Sequence, residues 1–473
     1  MVQLIRRELE TLRERCAGRV VTRQDADYDV LRSVWNGAVN RHPAVIVRCS
    51  GPGDVSAAIG FAREEDLEIS VRGGGHGFGG SAVTAGGVML DLSALRLVEV
   101  DPAARYVTCG GGATWADLDA ATQAYGLATP GGTISHTGVG GLTLGGGFGW
   151  LTRDFGLTVD NLESADLVLA SGEYVHASAS DNPDLFWAIR GGGGNFGVAT
   201  SLAYRLHPVG PEVHVAILFW EAERGPEAIE AIEATVPELP ERIGVLIGFG
   251  MSAPPAPFVP VQHRFRPGHV LILAGFGSAE HHAAALAPIR QALKPLFEFV
   301  APMPYTQLQS LLDESAPWGV MGYERALDLP SLPLEARSVI CEQAARKGSP
   351  MSFMPTFRLD RAFTAPADDA TAFGGTREPH YTMSITAMTP SPGDLPAERE
   401  WARAAWEALR PYARGTGSYV NFLTDPDEAR VHAAYGQEKY ARLAAVKAVY
   451  DPDNTFHLNA NIRPGRQGDG SSP

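Results

Sequence analysis

The stretch Val71-Arg-Gly-Gly-Gly-His-Gly-Phe-Gly-Gly80 joins the end of an apolar, strand-like segment to a glycine run with one histidine in its middle. Six of its ten residues are glycine. Because glycine has no Cβ, it permits positive φ and lets backbone N–H groups approach a ligand closely, which is why such runs line phosphate sites. His76 is the only side chain between Gly73 and Gly77. A single run of this kind is also typical of a flexible linker or a tight turn.

Two further glycine runs favour a ligand site over a linker. Residues 131–149 read GGTISHTGVGGLTLGGGFG, and residues 190–197 read RGGGGNFG. Apolar segments that predict packed strands and helices bound both runs. A linker is polar and unpatterned, whereas Leu142, Leu144 and Phe148 in the second run would bury a large apolar area. We therefore expect all three runs to belong to a folded domain.

The segments VRGGGH, TGVGGLTLGGGFGWLTRDFGLTVDNL and DLFWAIRGGGGNFGV, in this order and spacing, resemble the FAD-linked oxidases related to berberine bridge enzyme and 6-hydroxynicotine oxidase. That family belongs to the vanillyl-alcohol oxidase superfamily. The resemblance is dense over residues 27–207 and returns over 411–464. It implies an α+β fold, with a two-part FAD-binding domain of the PCMH/VAO type and an inserted antiparallel-sheet substrate domain. The implied FAD-binding domain comprises residues 1–207 and a C-terminal segment, 411–473, and the substrate domain residues 208–410.

Composition excludes several other classes of protein. The chain has 473 residues, 45% of them hydrophobic, and a formal net charge of −15. An acidic chain without a basic cluster is a poor nucleic-acid binder, although the RGGGG run alone would permit a polynucleotide-binding protein without turnover. No run of about 18 apolar residues occurs, so we expect no transmembrane helix, and the charged first twenty residues predict an amphipathic helix rather than a secretory signal. Four scattered cysteines without a CxxC pair fit reduced thiols in a cytoplasmic protein.

The apolar patterns predict a parallel strand–helix–strand unit before the first glycine run. Residues 43–49 and 67–72 have the character of buried strands, and the helix between them has Asp54 as its expected N-cap. This order places the glycine loop at the carboxyl end of a strand, where ligands bind. Residues 165–170 and 174–177 predict a hairpin.

The middle of the chain has a different pattern and contains no glycine motif. Strands over 213–219, 243–249 and 270–276 and helices near 226–236 and 280–293 predict an antiparallel sheet with helices on one face. His281 and His282 are adjacent in one of these helices, where neighbouring side chains diverge by about 100°. We therefore expect them on a solvated face and predict no metal site.

An FAD site needs donors for a pyrophosphate and groups near the isoalloxazine ring. Backbone N–H groups of the first two glycine runs can supply the donors, so an acidic protein could hold a pyrophosphate without a lysine cluster. A nicotinamide fingerprint fits less well, because GVGGLTLGGG contains no clean GxGxxG at a strand-to-helix turn. The predicted cofactor contacts are Arg72, Gly73, Gly74, Gly75, Gly77, Ser81, Thr137, Gly138, Gly140, Gly141, Gly197, Val198, Asn421, Asn459 and Asn461. Turn or capping roles remain the alternative for the three asparagines.

The resemblance implies that His76 is bonded covalently to the flavin 8α-methyl group, whereas the plainer interpretation is a histidine that hydrogen-bonds phosphate or backbone. Many relatives carry a second, cysteinyl link just before the GVGG segment. Residues 133–137 read TISHT and contain no cysteine, so we predict a single link. Thr137 lies near the position where relatives use a small residue that admits oxygen.

The reaction needs a base that takes a proton while a hydride leaves the substrate. Relatives often place a tyrosine of a Tyr-x-Asn-Tyr motif for this role, which points to Tyr419 in the segment YVNF, although Phe422 replaces the last tyrosine. The alternative is a packed tyrosine whose hydroxyl is satisfied locally. The whole pattern predicts an FAD-dependent oxidase that dehydrogenates a C–OH or C–N group of a small organic substrate and reduces O2 to H2O2. A dehydrogenase with another electron acceptor is the alternative.

Overall fold

The computed structural model describes residues 4–415, 419–425 and 427–465. The first part of the chain alternates short strands and helices. Its strands are β1 (Arg19–Val21), β2 (Val45–Arg48), β3 (Ile69–Arg72), β4 (Val88–Asp91), β5 (Val98–Asp101), β6 (Tyr106–Gly110), β7 (Leu127–Ala128), β8 (Leu162–Val168), β9 (Tyr174–Ser178), β10 (Val198–Arg205) and β11 (His207–Pro208). Its helices are α1 (Leu4–Arg15), α2 (Tyr28–Leu31), α3 (Pro52–Glu64), α4 (Trp115–Gln123), α5 (Val139–Leu144), α6 (Thr152–Phe155) and α7 (Pro183–Ile189).

These strands form two main sheets. The first has the order β1-β2-β4-β3, with β2 and β3 both parallel to β4. The second has the order β5-β6-β10-β8-β9 and is antiparallel, including the predicted β8–β9 hairpin. The predicted parallel unit is therefore confirmed. Its helix α3 buries Val55, Ala58 and Ile59 against the first sheet, and β3 leads directly into the first glycine run.

The predicted N-cap of α3 was wrong. The helix begins at Pro52 after Gly51, which has extended dihedral angles, and Asp54 lies in the first turn. Its carboxylate accepts hydrogen bonds from the backbone N–H groups of Ser50, Ala17 and Gly18. Proline is favoured at the first helical position, and an acidic side chain in the first turn is favourable beside unpaired N–H groups. Asp54 therefore ties the chain after α1 to the start of α3.

The middle of the chain forms one antiparallel sheet of seven strands, in the order β15-β12-β14-β13-β17-β18-β16. Its strands are β12 (Glu212–Glu221), β13 (Ile243–Ser252), β14 (Pro267–Gly275), β15 (Phe297–Pro304), β16 (Met321–Leu329), β17 (Met354–Leu359) and β18 (His380–Thr389). Its helices are α8 (Gly225–Thr235), α9 (Ala279–Ala292), α10 (Tyr305–Gln309), α11 (Leu334–Arg346) and α12 (Leu395–Leu409).

The seven-stranded sheet is buried on both faces. Helices α8, α9, α11 and α12 cover one face, where Ile232, Ile289 and Ile340 share an apolar core with alternate strand residues. The other face packs against the glycine-rich part of the chain, through a core that contains Trp150, Phe148 and Phe357. Burial on both faces explains why β14 and β18 are almost continuously apolar or uncharged. The predicted antiparallel sheet with helices on one face is confirmed.

The end of the chain returns to the first part. Helices α13 (Glu428–Tyr435) and α14 (Gln437–Tyr450) pack Tyr435 and Leu443 into the core that contains Trp115, Phe186 and Phe196. In the last turn of α14 the buried ammonium of Lys447 donates hydrogen bonds to the carbonyl oxygens of Asn195 and Phe456 and to the carboxylate of Asp451. The chain therefore crosses from the first part to the sheet and back again.

The histidine pair, the cysteines and the membrane-helix expectation can each be compared with the structure. His282 is buried rather than solvated, because its ring packs beside Gly275 and approaches the carbonyl oxygen of Leu273. The solvated face predicted for this pair was therefore wrong at His282, while the neighbouring His281 is half-buried. All four cysteines lie in the described part of the chain, and all four are free thiols. Within the same part, no helix is long and apolar enough to cross a membrane.

Candidate functional site

The first two glycine runs meet at the centre of the molecule. Gly74 and Gly138 approach so closely that a Cβ on either one would overlap the backbone nitrogen of the other. Only glycine fits both positions, because neither backbone segment can move aside as a flexible side chain would. The contact places the loop after β3 beside the start of α5, so the backbone of both runs faces a common space.

That space is a cavity of about 410 Å³ between the glycine runs, the seven-stranded sheet and the C-terminal segment. Its size and mixed lining are those of a small-molecule or cofactor site. Most of the predicted site residues line it, namely Gly73, Gly74, Gly75, His76, Gly77, Ser81, Thr137, Gly138, Gly140, Gly141, Gly197, Val198, Tyr419, Asn421 and Asn459.

Two predicted contacts lie outside the cavity wall. The guanidinium of Arg72 turns away and donates from Nη1 to the carbonyl oxygen of Leu31 at 2.6 Å. Asn461 also lies outside the wall, and its Oδ1 is buried without a hydrogen-bond partner among the described residues. Asn195 lines the cavity instead, and its side chain donates to the carbonyl oxygens of Gly192 and Ala460.

His76 is held between two rings in the cavity wall. Its imidazole stacks on Trp35, with ring centroids 4.7 Å apart and an angle of 18° between the planes, and lies 5.0 Å from the ring of His136. Burial, with a smaller contribution from His136, lowers the pKa of His76 to about 3. Its Nε2 is buried and has no hydrogen-bond partner in the described part of the chain. The geometry therefore presents a neutral imidazole with an unused nitrogen.

These features fit an FAD. The paired glycine runs offer backbone N–H groups to a pyrophosphate, as successive amides do in anion-binding nests. No lysine or arginine lines the cavity within the described ranges, so the backbone would have to supply this recognition. The unused nitrogen of His76 is the kind of buried polar atom that a bound group would satisfy.

Tyr419 and Asn421 form the C-terminal edge of the cavity. The Tyr419 hydroxyl oxygen accepts hydrogen bonds from the backbone N–H of Gly147 at 2.9 Å and from Asn421 Nδ2 at 2.8 Å. Burial raises the pKa of Tyr419 above its ordinary value, although both hydrogen bonds act in the opposite direction. The side chain is therefore a neutral phenol near pH 7, and the two accepted bonds leave its own proton free to be donated.

Three polar side chains on the sheet were not predicted. Glu324 of β16 and Ser384 and Thr386 of β18 line the cavity, and all three are buried. Glu324 pairs directly with Thr386 across the two strands. The only signal in the sequence is a charged residue within a strand, but Arg325 follows Glu324 at once, so alternation does not show which side chain faces inward.

Comparisons with known proteins agree with this geometry. The family model described as "FAD binding domain" matches residues 43–178, and the one described as "Berberine and berberine like" matches residues 418–463. An FAD-linked oxidoreductase of Dictyostelium discoideum is 30% identical over 434 residues, covering 91% of this chain and 91% of the relative.

Solved structures extend the likeness to the whole fold. The crystal structure of 6-hydroxy-D-nicotine oxidase from Arthrobacter nicotinovorans aligns with a TM-score of 0.85 and 26% identity, over 95% of this chain and 98% of that one. A grass pollen allergen described as having glucose dehydrogenase activity aligns with a TM-score of 0.84 at 21% identity, over 97% and 99% of the two chains. At that identity the second likeness concerns the fold alone.

Proposed function

Because the chain belongs to the berberine bridge enzyme-like family of FAD-linked oxidoreductases, we propose that it is an FAD-dependent oxidase. Its reaction would remove a hydride and a proton from a C–OH or C–N group of a small organic molecule and reduce O2 to H2O2. The observation that supports this most is one cavity whose wall is formed on one side by the paired glycine runs and His76 and on the other side by the seven-stranded sheet. When bound, FAD supplies the two-electron chemistry.

We propose that His76 holds the flavin through one covalent bond. A nucleophilic nitrogen must be unprotonated, and burial keeps the imidazole neutral by lowering its pKa to about 3. Stacking on Trp35 fixes the ring, and Nε2 is left without another partner among the described residues. A second bond through sulfur is not expected, because none of the four cysteines, all in the described part of the chain, lines the cavity. The bond would prevent loss of the cofactor.

The sequence predicts Tyr419 as the base of the reaction. The role of base requires a phenolate, which a neighbouring cation would favour. The groups that hydrogen-bond its hydroxyl are neutral, and burial raises its pKa. We therefore propose that Tyr419 donates its proton in a hydrogen bond that orients the substrate, while another group accepts the substrate proton.

A dehydrogenase with another electron acceptor is the second candidate, since one fold relative is described as having glucose dehydrogenase activity. The test is a panel of 6-hydroxynicotine, glucose, 4-methoxybenzyl alcohol and 4-methoxybenzylamine, with oxygen uptake and H2O2 measured in air. Anaerobic bleaching of the flavin by at least one compound, with matching oxygen uptake, is the expected result. Turnover with an artificial dye acceptor but none with O2 would overturn the oxidase and leave the dehydrogenase.

A further inference from the structure

The sheet wall of the cavity is mostly apolar. From Ser384 onward, every second residue of β18 lines the cavity, namely Ser384, Thr386 and Met388. The same alternation places three residues of β17 and the segment just before it in the cavity wall, namely Phe353, Pro355 and Phe357. Phe353 pairs with Thr386 through an isolated antiparallel β-bridge. Further apolar side chains extend this surface, namely Phe78, Ile134, Phe148, Leu246, Met251 and Leu312.

Glu324 lies at the polar end of this wall. Its Oε2 accepts a hydrogen bond from Ser384 Oγ at 2.9 Å, and Ser384 Oγ also lies 2.9 Å from Thr386 Oγ1. Thr424 holds the backbone of Glu324 in place, because its hydroxyl accepts a hydrogen bond from the Glu324 N–H and donates one to the Glu324 carbonyl oxygen. The carboxyl group forms no ion pair with any residue of the described ranges. A buried carboxyl group without a cation is costly, so its presence in the cavity wall calls for a function.

Resting on the proposed oxidase function, we propose that Glu324 is the carboxylate that takes the proton from the substrate. The substrate is correspondingly a largely apolar molecule with one reacting hydroxyl or amine. For an alcohol, the O–H bond breaks and its proton moves to Glu324, while the C–H bond breaks and its electron pair leaves as a hydride to the bound cofactor. The C=O bond forms in the same conversion, so the alcohol loses one hydride from carbon and one proton from oxygen, which together are two electrons and two protons.

The polar groups of the wall are too few for a sugar. A sugar ring presents several hydroxyl groups, each of which needs a partner when it is buried. The sheet face offers Glu324, Ser384 and Thr386, and these three already bond to one another in a row. The apolar side chains around them favour an aromatic or aliphatic body, whose burial is worth about 25 cal/mol per Å².

The ionisation of Glu324 should give the reaction a characteristic dependence on pH. Burial, opposed by the bond from Ser384, raises the pKa of Glu324 to about 8. The other titratable groups on the cavity wall are His76, whose pKa is lowered to about 3, and Tyr419 and Tyr435, whose pKa values are raised by burial. Glu324 is thus the one described lining group that changes charge between about pH 6 and 10. Because only the carboxylate accepts a proton, the rate rises as pH increases through about 8.

The test compares E324Q, which keeps the shape and the bond from Ser384, with Y419F and with the exposed control E298Q. In the absence of substrate, the absorption spectrum of the bound flavin is titrated from about pH 6 to 10. We expect a transition with a midpoint near 8 in wild type, Y419F and E298Q, and none in E324Q. A transition that persists unchanged in E324Q would overturn the assignment, whatever the substrate is.

Anaerobic stopped-flow reduction by 4-methoxybenzyl alcohol, 4-methoxybenzylamine and glucose then tests the role. In E324Q the limiting rate is expected to fall about 10²- to 10⁴-fold and to lose its pH dependence, with flavin content unchanged. Equal rates in E324Q and wild type would exclude Glu324 as the base, and faster reduction by glucose than by the benzylic compounds would exclude the apolar class. If no compound reduces the flavin, the oxidase proposal fails, and the substrate-free titration still decides whether Glu324 ionises in the cavity.

Discussion

The glycine-rich wall of the cavity and the sheet wall opposite are built in different ways. On the first wall the contact surface is mostly backbone, brought close by glycines such as Gly74 and Gly138, and among the described residues His76 is its one ionisable side chain. On the second wall the surface is side chains presented at every other position of β17 and β18. Backbone recognition suits a cofactor shared by a whole family, whereas a side-chain surface can differ from one member to the next. The first wall therefore identifies the chemistry, and the second should determine the substrate.

Buried polar contacts join the two parts of the chain that carry these walls. The guanidinium of Arg377, in the loop after β17, forms two hydrogen bonds of 2.8 Å to the carboxylate of Asp160 in the first part of the chain. Arg153 of α6 pairs with Asp360 at 2.7 Å in the same interface. Asp119 of α4 accepts a hydrogen bond from Gln309 of α10 at 2.8 Å. If the cavity depends on both walls, these contacts should matter more than equivalent contacts within one wall.

The largest effect is expected for Arg377→Met. The substitution leaves the Asp160 carboxylate buried without its bidentate partner, and breaking a buried pair in this way costs about 3–5 kcal/mol. Arg290 and Glu298 provide the matched control, because they also form a bidentate pair, at 2.9 and 3.0 Å, but both are more than a third exposed. Arg290→Met should cost no more than about 1 kcal/mol. Urea unfolding measures both, and equal losses would contradict the importance of the interface.

A smaller effect is expected for Gly74→Ala. The added methyl group would overlap the backbone of Gly138 and push the two glycine runs apart, at a cost of about 1–3 kcal/mol. We expect the affinity for FAD before the covalent bond forms to weaken by about tenfold or more, since 1.4 kcal/mol corresponds to a factor of ten in binding, and the flavin content of the purified protein to fall. Gly60→Ala is the control, because an added Cβ there meets nothing within 4 Å. Full flavin occupancy in Gly74→Ala would show that the close approach is dispensable.

A third effect concerns Asp119 and depends on pH. Burial raises the pKa of Asp119 to about 7 in the folded protein, opposed by the bond from Gln309. The stabilisation from the neutral carboxyl group is complete below the unfolded pKa, near 4, and is lost as pH rises towards 7. Relative to Asp119→Asn, wild type should therefore lose about 1.4 kcal/mol of unfolding free energy per pH unit across this window. A difference that stays constant from pH 5 to 7 would rule out the buried carboxyl group as its origin.

Much of the glycine-rich wall could be predicted from the sequence. A close backbone approach excludes every side chain, so the runs around Gly74 and Gly138 carry a steric requirement that is visible in the residue types themselves. The strands β2 and β3 and the helix α3 could also be predicted, because their apolar residues recur with a local period that is visible in the sequence. The predicted N-cap of α3 was wrong although Pro52 at the first helical position is a local signal, whereas the bond from the Gly18 N–H to Asp54 is a tertiary contact that the sequence does not show.

The sheet wall could not be predicted, because its composition depends on strand register. Glu324 and Thr386 are 62 positions apart, and only the pairing of β16 with β18 brings them face to face. Nothing local distinguishes Glu324 from the adjacent Arg325, although one faces the cavity and the other packs over the ring of Trp406. Arg72 was predicted in the cavity wall for the same lack of information about side-chain direction. Its neighbours Val71 and Gly73 line the cavity, but its own side chain donates a hydrogen bond to the carbonyl oxygen of Leu31.

The central claim is that His76 anchors one FAD in the glycine-rich wall. The most direct measurement is the absorption spectrum and intact mass of the acid-precipitated protein, for wild type beside His76→Ala. A yellow pellet whose mass exceeds the polypeptide by one FAD, with both features lost in the variant, is the predicted result. Flavin released into the supernatant of the wild type would exclude the covalent bond, and a colourless protein with no flavin in either fraction would contradict the account of the cavity as a flavin site.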